Sequence, residues 1–469
     1  MPKKKVAIFF LLAFVGAALF IYFTFPRTKD EIPKSNNQRL FPSAPQPGPA
    51  PDGLPLPETV PHPNTPKMPP GPSLRVMAWA SDGEAKALEG EMESFANETG
   101  RQALLTCDPD EASYRRDLSD AFSSGTPPDV CLISSRDFSG IDPKHDLADA
   151  APNQDTSPRS IMAFTVNDRI KAAPDEFSVY VLFYNEQYFD QAGIGYPGPH
   201  WTWDVVEAIS RALGSLRLKN GAGEPVYPLE LPASFDFWNI LCAETGHPAL
   251  DLETWHISDA DTRESQIWEL GRIQNFFCGL TVTAPPTEPG QSPGTLFAQQ
   301  RSALLVAPSD FAATLPKFRY AFTVMPAEIT RASLAAVNGW AVAQDSSDPT
   351  AARALANYLA YQPVHTGWSR VQTPPDNPDA SDTPEAICHQ ALDRALLPRI
   401  EPSMAKLADF LDTQINQLAR ASPPTADTVY TIIQAKYQKS PAWHPLQNNP
   451  SSLQELNPHA NTAGSLRDF

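Results

Sequence analysis

Residues 74–133 decide the fold, because three short apolar runs alternate there with two stretches of helical periodicity. The apolar runs read LRVMAWA at residues 74–80, QALLT at 102–106 and VCLI at 130–133. Between them, apolar residues in 84–98 and 111–122 recur every three or four positions, which predicts amphipathic helices. A strand–helix–strand–helix–strand order predicts parallel strands with right-handed crossovers. In such sheets, ligands bind at the carboxyl ends of the strands.

Composition narrows the class of protein further. The chain has 469 residues, enough for two sizeable cores, and 42% are hydrophobic, as in globular proteins. Its net charge is -18, and residues 1–73 hold eight Lys/Arg against four Asp/Glu, so the remainder carries -22. Such an acidic domain repels phosphate backbones, and we expect no nucleic-acid partner.

Motifs for metal, redox or phosphate chemistry are absent from the sequence. No two of the five cysteines form a CxxC pair, and neither HExxH nor a P-loop occurs. A GxSxG match at residues 290–294 stands among prolines, which favour a loop over the strand–turn–helix of a nucleophile elbow. We therefore expect no cofactor, no metal site and no enzymatic activity. Cys242 and Cys278 end two helical patterns and are candidates for pairing.

The first 25 residues predict a signal anchor, that is, one transmembrane helix. Lys3, Lys4 and Lys5 precede an uncharged run at residues 6–25. Twenty helical residues span roughly 30 Å, the thickness of a bilayer core. Tyr22 and Phe23 stand where a cleavage site needs small residues, although a cleaved signal remains the alternative. The lysines should stay in the cytoplasm, with everything after the helix outside.

Proline-rich and polar segments flank the folded part. Residues 26–73 contain 15 prolines, which favours polyproline II and predicts a disordered linker. Residues 446–469 are rich in Asn, Pro and Ser and predict a disordered tail. The folded domain is therefore expected at residues 74–445.

Five motifs along this domain resemble those of family 1 extracellular solute-binding proteins, the sugar-binding subunits of ABC importers. They read FSSGTPPDVCLI at 122–133, YVLFYNEQYFDQAG at 180–193, WTWDVVEAI at 201–209, TLFAQQRSALL at 295–305 and NGWAVA at 338–343. The last is followed by a helical pattern at 349–359. Each motif is weak alone, and the five occur in the order of the family.

The resemblance implies an α/β fold of the maltose-binding type (type II), with two lobes, a hinge and a ligand cleft between the lobes. It places the first lobe at residues 74–180 and 320–372, and the second at 181–319 and 373–445. It further implies a monomer outside the cytoplasmic membrane that captures a mono- or oligosaccharide and docks on ABC permease subunits.

Aromatic and planar polar side chains bind sugars, and these select the candidate ligand-binding residues. The resemblance implies a ligand-stacking aromatic at Trp340, with Asn338 in the same segment. Trp79 ends the first strand, and Tyr180 opens the first crossover between lobes. The alternatives are a hinge-packing tryptophan at Trp340, a core tryptophan at Trp79 and a loop-holding role for Asn338.

Three further candidates carry carboxylate or aromatic groups near predicted element ends. Asp129 precedes the third strand, while Asp236 and Trp238 open a helix at 236–243. Asp129 could instead shape the Pro-Pro turn, Asp236 could be only a helix cap, and Trp238 could be core.

Two other functions remain open at this stage. A sensor or adhesin could bind polysaccharide without transport, and the long linker fits that role. A glycoside hydrolase would need two carboxylates about 5–10 Å apart, and the many Asp and Glu residues do not exclude it.

Overall fold

The structure describes most of the predicted folded domain. This computed structural model describes residues 66–136, 147–248, 263–279, 283–286, 294–361, 363–372, 383–398, 402–420 and 422–438. Within those ranges, no helix is both long and apolar enough to span a bilayer. The predicted anchor, most of the predicted linker, the tail and the serine of the GxSxG match lie outside them.

The amino-terminal sequence folds into the strands and helices that its periodicity predicts. The elements are β1 (Leu74–Trp79), α1 (Asp82–Thr99), β2 (Ala103–Asp108), α2 (Glu111–Ser123) and β3 (Val130–Ser134). Strand β1 pairs in parallel with both β2 and β3, which confirms the predicted parallel strands. Ser81 and Glu84 form a capping box at the start of α1, and Gly100, with φ 82°, ends it.

The folded domain begins earlier than predicted, within the last residues of the proline-rich segment. Met68 N donates to Thr99 O at 2.8 Å. The buried Arg101 guanidinium donates to the carbonyls of Pro69 and Pro72 at 3.3 and 3.0 Å, and it pairs with Asp348 at 2.9 Å. A buried guanidinium needs such acceptors, so it holds residues 68–72 against the domain.

The remaining elements complete a mixed sheet covered by helices. In chain order they are α3 (Pro158–Ala163), β4 (Thr165–Val166), β5 (Arg169–Ile170), β6 (Ala172–Asn185), α4 (Glu186–Ala192), α5 (Trp203–Ser215), β7 (Tyr227–Glu230), α6 (Phe235–Glu244), α7 (Arg263–Gln274), a π turn (Asn275–Gly279), α8 (Thr295–Ala298), β8 (Ser302–Pro308), a 3-10 turn (Ser309–Thr314), β9 (Tyr320–Val324), β10 (Ser333–Val342), α9 (Pro349–Leu359), β11 (Ser369–Arg370), α10 (Pro384–Leu392), β12 (Ala395–Leu396), α11 (Pro402–Leu418) and α12 (Ala426–Gln438).

Strand β6 joins the two halves of the sheet. Its first half pairs with β10, and its second half pairs with β8 on one side and β9 on the other. The path runs β2-β1-β3-β10-β6-β8-β7. The first lobe thus contains β1–β3, and the second contains β7–β9. Strand β9, at the start of the segment predicted to return to the first lobe, pairs with residues 181–185, and β10 pairs with the first half of β6.

Alternation along these strands builds two apolar cores. Leu182 and Tyr184 of β6 belong to one core, with α5, α6, α7, α11 and α12. Val181 and Phe183 point to the opposite face and belong to the other core, with β1–β3, α1 and α9. The core with β1–β3 also includes Cys388 and neighbouring residues of α10.

Gly339 is required by a close approach of strands. The pairing of β10 with β6 shifts register between Asn338 and Gly339. A Cβ at Gly339 would lie 2.9 Å from both Ala173 O and a ring carbon of Phe164. A glycine there lets the two backbones meet, as expected for glycine within strands.

All five cysteines are free, including Cys242 and Cys278, for which pairing was considered. Burial raises the pKa of the Cys131 thiol to about 12 and that of Cys388 to about 11. Both therefore behave as small apolar side chains.

Helix α10 carries a buried histidine that makes stability depend on pH. The His389 ring meets Phe177 edge-on at 5.0 Å, and burial lowers the pKa of His389 to about 4. An unfolded histidine titrates near 6.5, so the unfolded chain binds the proton first as pH falls. The contribution to stability is present above pH 6.5 and is lost between pH 6.5 and 4.

We expect the His389→Gln variant to be less sensitive to acid than the wild type. Between pH 7 and 4, the wild type should lose about 3 kcal/mol of unfolding free energy that the variant does not lose. Urea unfolding at a series of pH values measures both curves. The exposed His200→Gln variant serves as the control and should follow the wild type. Parallel curves for wild type and His389→Gln would contradict the assignment.

Candidate functional site

The candidate site lies where the carboxyl ends of β1 and β3 face the second lobe. We name the side chains gathered there the interlobe cluster: Trp79, Arg136, Glu176, Ser178, Tyr180, Asp236, Asp310, His365 and Asp412. They come from seven separate segments of both lobes. Glu176, Ser178 and Tyr180 alternate along β6 and therefore share one face of that strand.

Aromatic rings line the side of the cluster that belongs to the first lobe. Trp79 is 8% exposed and stacks on the His365 ring, with centroids 5.0 Å apart and planes at 30°. Trp368, half-buried, lies 5.8 Å from His365 on the same loop. Flat apolar rings of this kind pack against the C–H faces of small organic ligands.

A buried carboxylate of β6 holds His365 in place. Glu176 accepts from the His365 backbone N at 2.9 Å, from the Asn338 amide at 2.9 Å and, through a short hydrogen bond, from His365 Nδ1. His365 Nε2 lies 3.2 Å from Trp79 O. Burial lowers the pKa of His365, but the Glu176 carboxylate outweighs it, and the net pKa is raised. The imidazole is therefore a fixed donor beside Trp79.

Ser178 and Asp310 occupy the middle of the cluster. Ser178 Oγ donates to Asp310 Oδ1 at 2.5 Å and accepts from Asp310 N at 3.3 Å. Burial raises the pKa of the Asp310 carboxyl despite the serine donor. Asp310 is the second residue of the 3-10 turn after β8, so this pair connects β6 to the second lobe.

An ion pair crosses between the lobes next to Tyr180. Arg136 follows β3 of the first lobe, and its Nη2 lies 2.6 Å from Oδ2 of Asp236 at the start of α6. The side chains are 32% and 19% exposed. Burial, and then the nearby Asp236 charge, raises the pKa of the Tyr180 hydroxyl, which therefore stays protonated and can donate a hydrogen bond.

Asp412 of helix α11 also belongs to the interlobe cluster. Its Oδ1 accepts from Phe235 N at 2.6 Å, ahead of the first turn of α6. Although part of the residue remains open to solvent, the surrounding protein raises the pKa of its carboxyl to about 6. The cluster thus offers carboxylates, a hydroxyl and a guanidinium, groups that hydrogen-bond to hydroxyl-rich ligands.

Three of the seven predicted ligand residues join this cluster. Trp79, Tyr180 and Asp236 lie in it, from three different elements. Whether they contact a ligand stays a prediction.

The structure places Trp340 and Asn338 in the interior, which corrects their predicted position at a ligand surface. Both are fully buried. Trp340 Nε1 donates to Asp175 Oδ2 at 3.1 Å, and Asn338 donates to Glu176. Strand β10 lies between β3 and β6, and both buried side chains hydrogen-bond to acids of β6, so they support that strand.

Trp238 and Asp129 are also corrected. Trp238 is 1% exposed and donates from Nε1 to Gln266 O at 3.2 Å, inside the core between α6 and α7. Asp129 accepts from Arg75 N and Ser346 Oγ, each at 2.8 Å, at the amino end of β3. That end lies opposite the carboxyl ends where the cluster forms.

Sequence reasoning missed Arg136, Glu176, Ser178, Asp310, His365 and Asp412. A weak signal existed for Arg136, since it follows the Ser-Ser step that ends the third predicted strand. His365 and Trp368 stand in a loop after a helix, beside Gly367 with φ 87°, and no period marks them. Asp412 lies within an amphipathic helix, where the sequence pattern does not distinguish it from the solvent-exposed polar residues of that helix.

No family model matches the sequence, and no curated protein matches it either. Solved structures do match. An ABC substrate-binding protein from Listeria monocytogenes in complex with cycloalternan is 19% identical, with a TM-score of 0.61 over 78% of this chain and 97% of that one. A cyclic alpha-maltosyl-1,6-maltose binding protein from Arthrobacter globiformis is 14% identical, with a TM-score of 0.62 over 78% and 98%. A maltotriose binding protein from Thermus thermophilus gives 15% and 0.57, over 78% and 100%.

The chain therefore has the two-lobed α/β fold of ABC-type sugar-binding proteins. The predicted resemblance is confirmed at the level of the fold, in spite of the low sequence identity. The interlobe cluster stands where the two lobes of this fold face one another.

We expect the Arg136–Asp236 pair to hold the lobes together. A partly exposed ion pair is worth up to about 1 kcal/mol. Its loss in Arg136→Gln or Asp236→Asn should therefore raise the rate of opening roughly two- to fivefold. Hydrogen–deuterium exchange should become faster both at the end of β3 and at the start of α6.

Arg319→Gln is the matched control, because Arg319 pairs with Glu186 and Asp190 within one lobe. It should change exchange only around α4. Faster exchange on one side of the interlobe cluster alone, or on neither side, would contradict a role in closing the lobes.

Proposed function

We propose that this protein captures a mono- or oligosaccharide between its lobes and delivers it to an ABC importer. The observation that carries the proposal is the placement of the interlobe cluster within this fold. Aromatic rings (Trp79, Trp368), a guanidinium (Arg136) and carboxylates (Asp236, Asp412) meet there from both lobes. The matching solved structures described as sugar-binding proteins support the same class of ligand.

Binding without catalysis accounts for this arrangement. Groups from both lobes touch the ligand only when the lobes are closed, so binding energy favours the closed form. The closed form would then be the one that docks on the permease. No bond of the ligand needs to break for this function, and the ligand is expected to be released intact.

We further propose that residues 1–25 hold the protein in the cytoplasmic membrane, with the binding domain outside. The apolar run at 6–25 behind three lysines supports this topology. The segment at 26–65 would give the domain reach while it stays near a membrane-embedded partner.

The binding proposal is tested by thermal unfolding of the full chain against sugars, polyols and amino acids. A polyoxyethylene detergent is used, because a maltoside would itself be a candidate ligand. A sugar at about 100 times its Kd should raise the free energy of unfolding of the protein by roughly 2.7 kcal/mol. Chromatography should recover the sugar unchanged, and cells lacking the protein should take up less of it.

Tyr180→Phe removes one hydroxyl from the interlobe cluster. The variant should need about ten times more sugar than the wild type for the same shift in melting temperature, as expected for the loss of one hydrogen bond. The matched control is Tyr196→Phe, whose hydroxyl donates to the surface Asp190. Cleaved sugar would indicate a hydrolase. A shift with amino acids alone would reject the carbohydrate proposal.

Membrane attachment is tested by fractionation. The full chain should stay in the membrane pellet after alkaline carbonate washing and keep its original amino terminus. A variant with residues 1–25 replaced by a cleavable signal peptide should be exported and appear in the soluble fraction. A wild-type chain that begins after residue 25 would show cleavage instead of anchoring.

A further inference from the structure

A second cleft lies in the first lobe, beside the β4–β5 hairpin and apart from the interlobe cluster. Its volume is about 500 Å³, within the range of small-molecule sites. Its walls are mostly charged and amide side chains: Asp149, Asn167, Arg169, Lys171, Gln344 and Arg353.

The cleft is cationic although the protein is strongly acidic. Arg169, Lys171 and Arg353 face a single lining carboxylate, Asp149, so the lining groups carry a net charge of +2. The whole chain carries -18. Asp168, at the tip of the hairpin, is not among the lining residues. A concentration of positive charge against such a background attracts anions locally.

Lys171 is a fixed charge at this site. Its side chain is only 9% exposed, and Nζ donates to Leu147 O at 3.1 Å and pairs with Asp149 Oδ1 at 3.2 Å. A nearly buried ammonium loses most of its hydration and therefore needs close partners. These contacts fix the position of its charge beside the cleft.

Asp149 also positions the two guanidinium groups. Arg169 Nη1 lies 3.2 Å from Asp149 Oδ2, and Arg353 Nε donates to Asp149 O at 3.2 Å. Within the described residues, each guanidinium makes only the hydrogen bond just given. Both Nη atoms of Arg353 and Nη2 of Arg169 can therefore donate hydrogen bonds to a ligand. Such planar forks match the oxygens of phosphate and sulfate.

The hairpin turn holds Arg169 and Asn167 in a defined place. Asn167 and Asp168 have φ 48° and 60°, the two consecutive positive values of a type I′ turn. That turn fits the pairing of Thr165 with Ile170 and of Val166 with Arg169. The cleft is thus bordered by a short, regular hairpin.

We propose that this cleft binds a phosphate- or sulfate-bearing polar group, at a site separate from the sugar cleft. A tetrahedral oxyanion is attracted by the positive charge of the lining groups and accepts hydrogen bonds from the arginine forks. The Asn167 and Gln344 amides provide hydrogen bonds for adjoining hydroxyls, and the volume leaves room for a small polyol. A soluble phosphate ester and a phospholipid headgroup present this same chemistry.

The proposal is tested by calorimetric titration of the full chain, without sugar, in polyoxyethylene detergent. The probes are glycerol 3-phosphate, dihexanoyl phosphatidylglycerol, inorganic phosphate and, as the neutral match, glycerol. At least one phosphate ester should bind with a Kd below about 1 mM, and glycerol should not. Tighter binding of the lipid would identify a headgroup site, and tighter binding of glycerol 3-phosphate a site for a soluble ester.

Arg353→Gln and Arg169→Gln should each weaken that binding about tenfold, as loss of a charge-assisted hydrogen bond implies. Both residues are exposed, so the variants should fold normally, and circular dichroism verifies this. Arg211→Gln removes an equally exposed arginine paired with Glu207 in the second lobe, and it should bind like the wild type. No binding of any phosphate probe, or equal binding by all variants, would overturn the proposal. Since no sugar is present, its failure leaves the sugar-binding proposal standing.

Discussion

The two lobes depend on one continuous strand, β6, which both of them share. Its 14 residues would extend about 45 Å, and it exchanges partners near Tyr180. Before that point it pairs with β10 of the first lobe, and after it with β8 and β9 of the second. Because backbone hydrogen bonds tie both lobes to the same strand, a change in their relative orientation has to be absorbed close to this exchange of partners.

The same strand carries two adjacent buried acids, Asp175 and Glu176, and this determines its surroundings. Burial, and then the neighbouring Glu176, raises the pKa of Asp175 well above its usual range. Leaving such groups without donors costs about 1–3 kcal/mol each, and more when they are charged. Trp340, Asn338 and His365 supply the donors. The Asn-Gly-Trp segment, which resembles a ligand-binding motif, therefore acts here as internal support for the strand that joins the lobes.

The ion pair that bridges the lobes contributes little free energy. The Arg136–Asp236 pair is partly exposed, and such pairs contribute up to about 1 kcal/mol. Under the proposed function this small value is useful, since a ligand can shift an equilibrium only by its difference in affinity for the two states. The apolar core around β1–β3 also contains Phe183 of β6, Leu305 of β8 and Val324 of β9, so packing beside the shared strand joins the lobes as well.

The sequence by itself determined the order and type of the elements at residues 74–133 and the helix at 349–359. Periodicity depends on near neighbours, and it predicted α1 and α2 without the fold. Only the tertiary structure decided which side chains are covered and which meet. Trp340 became core because β3 and β6 flank it, while Arg136 and Asp236, 100 residues apart, came together at one place. Burial and long-range contact depend on distant segments of the chain, and no local pattern of residues records them.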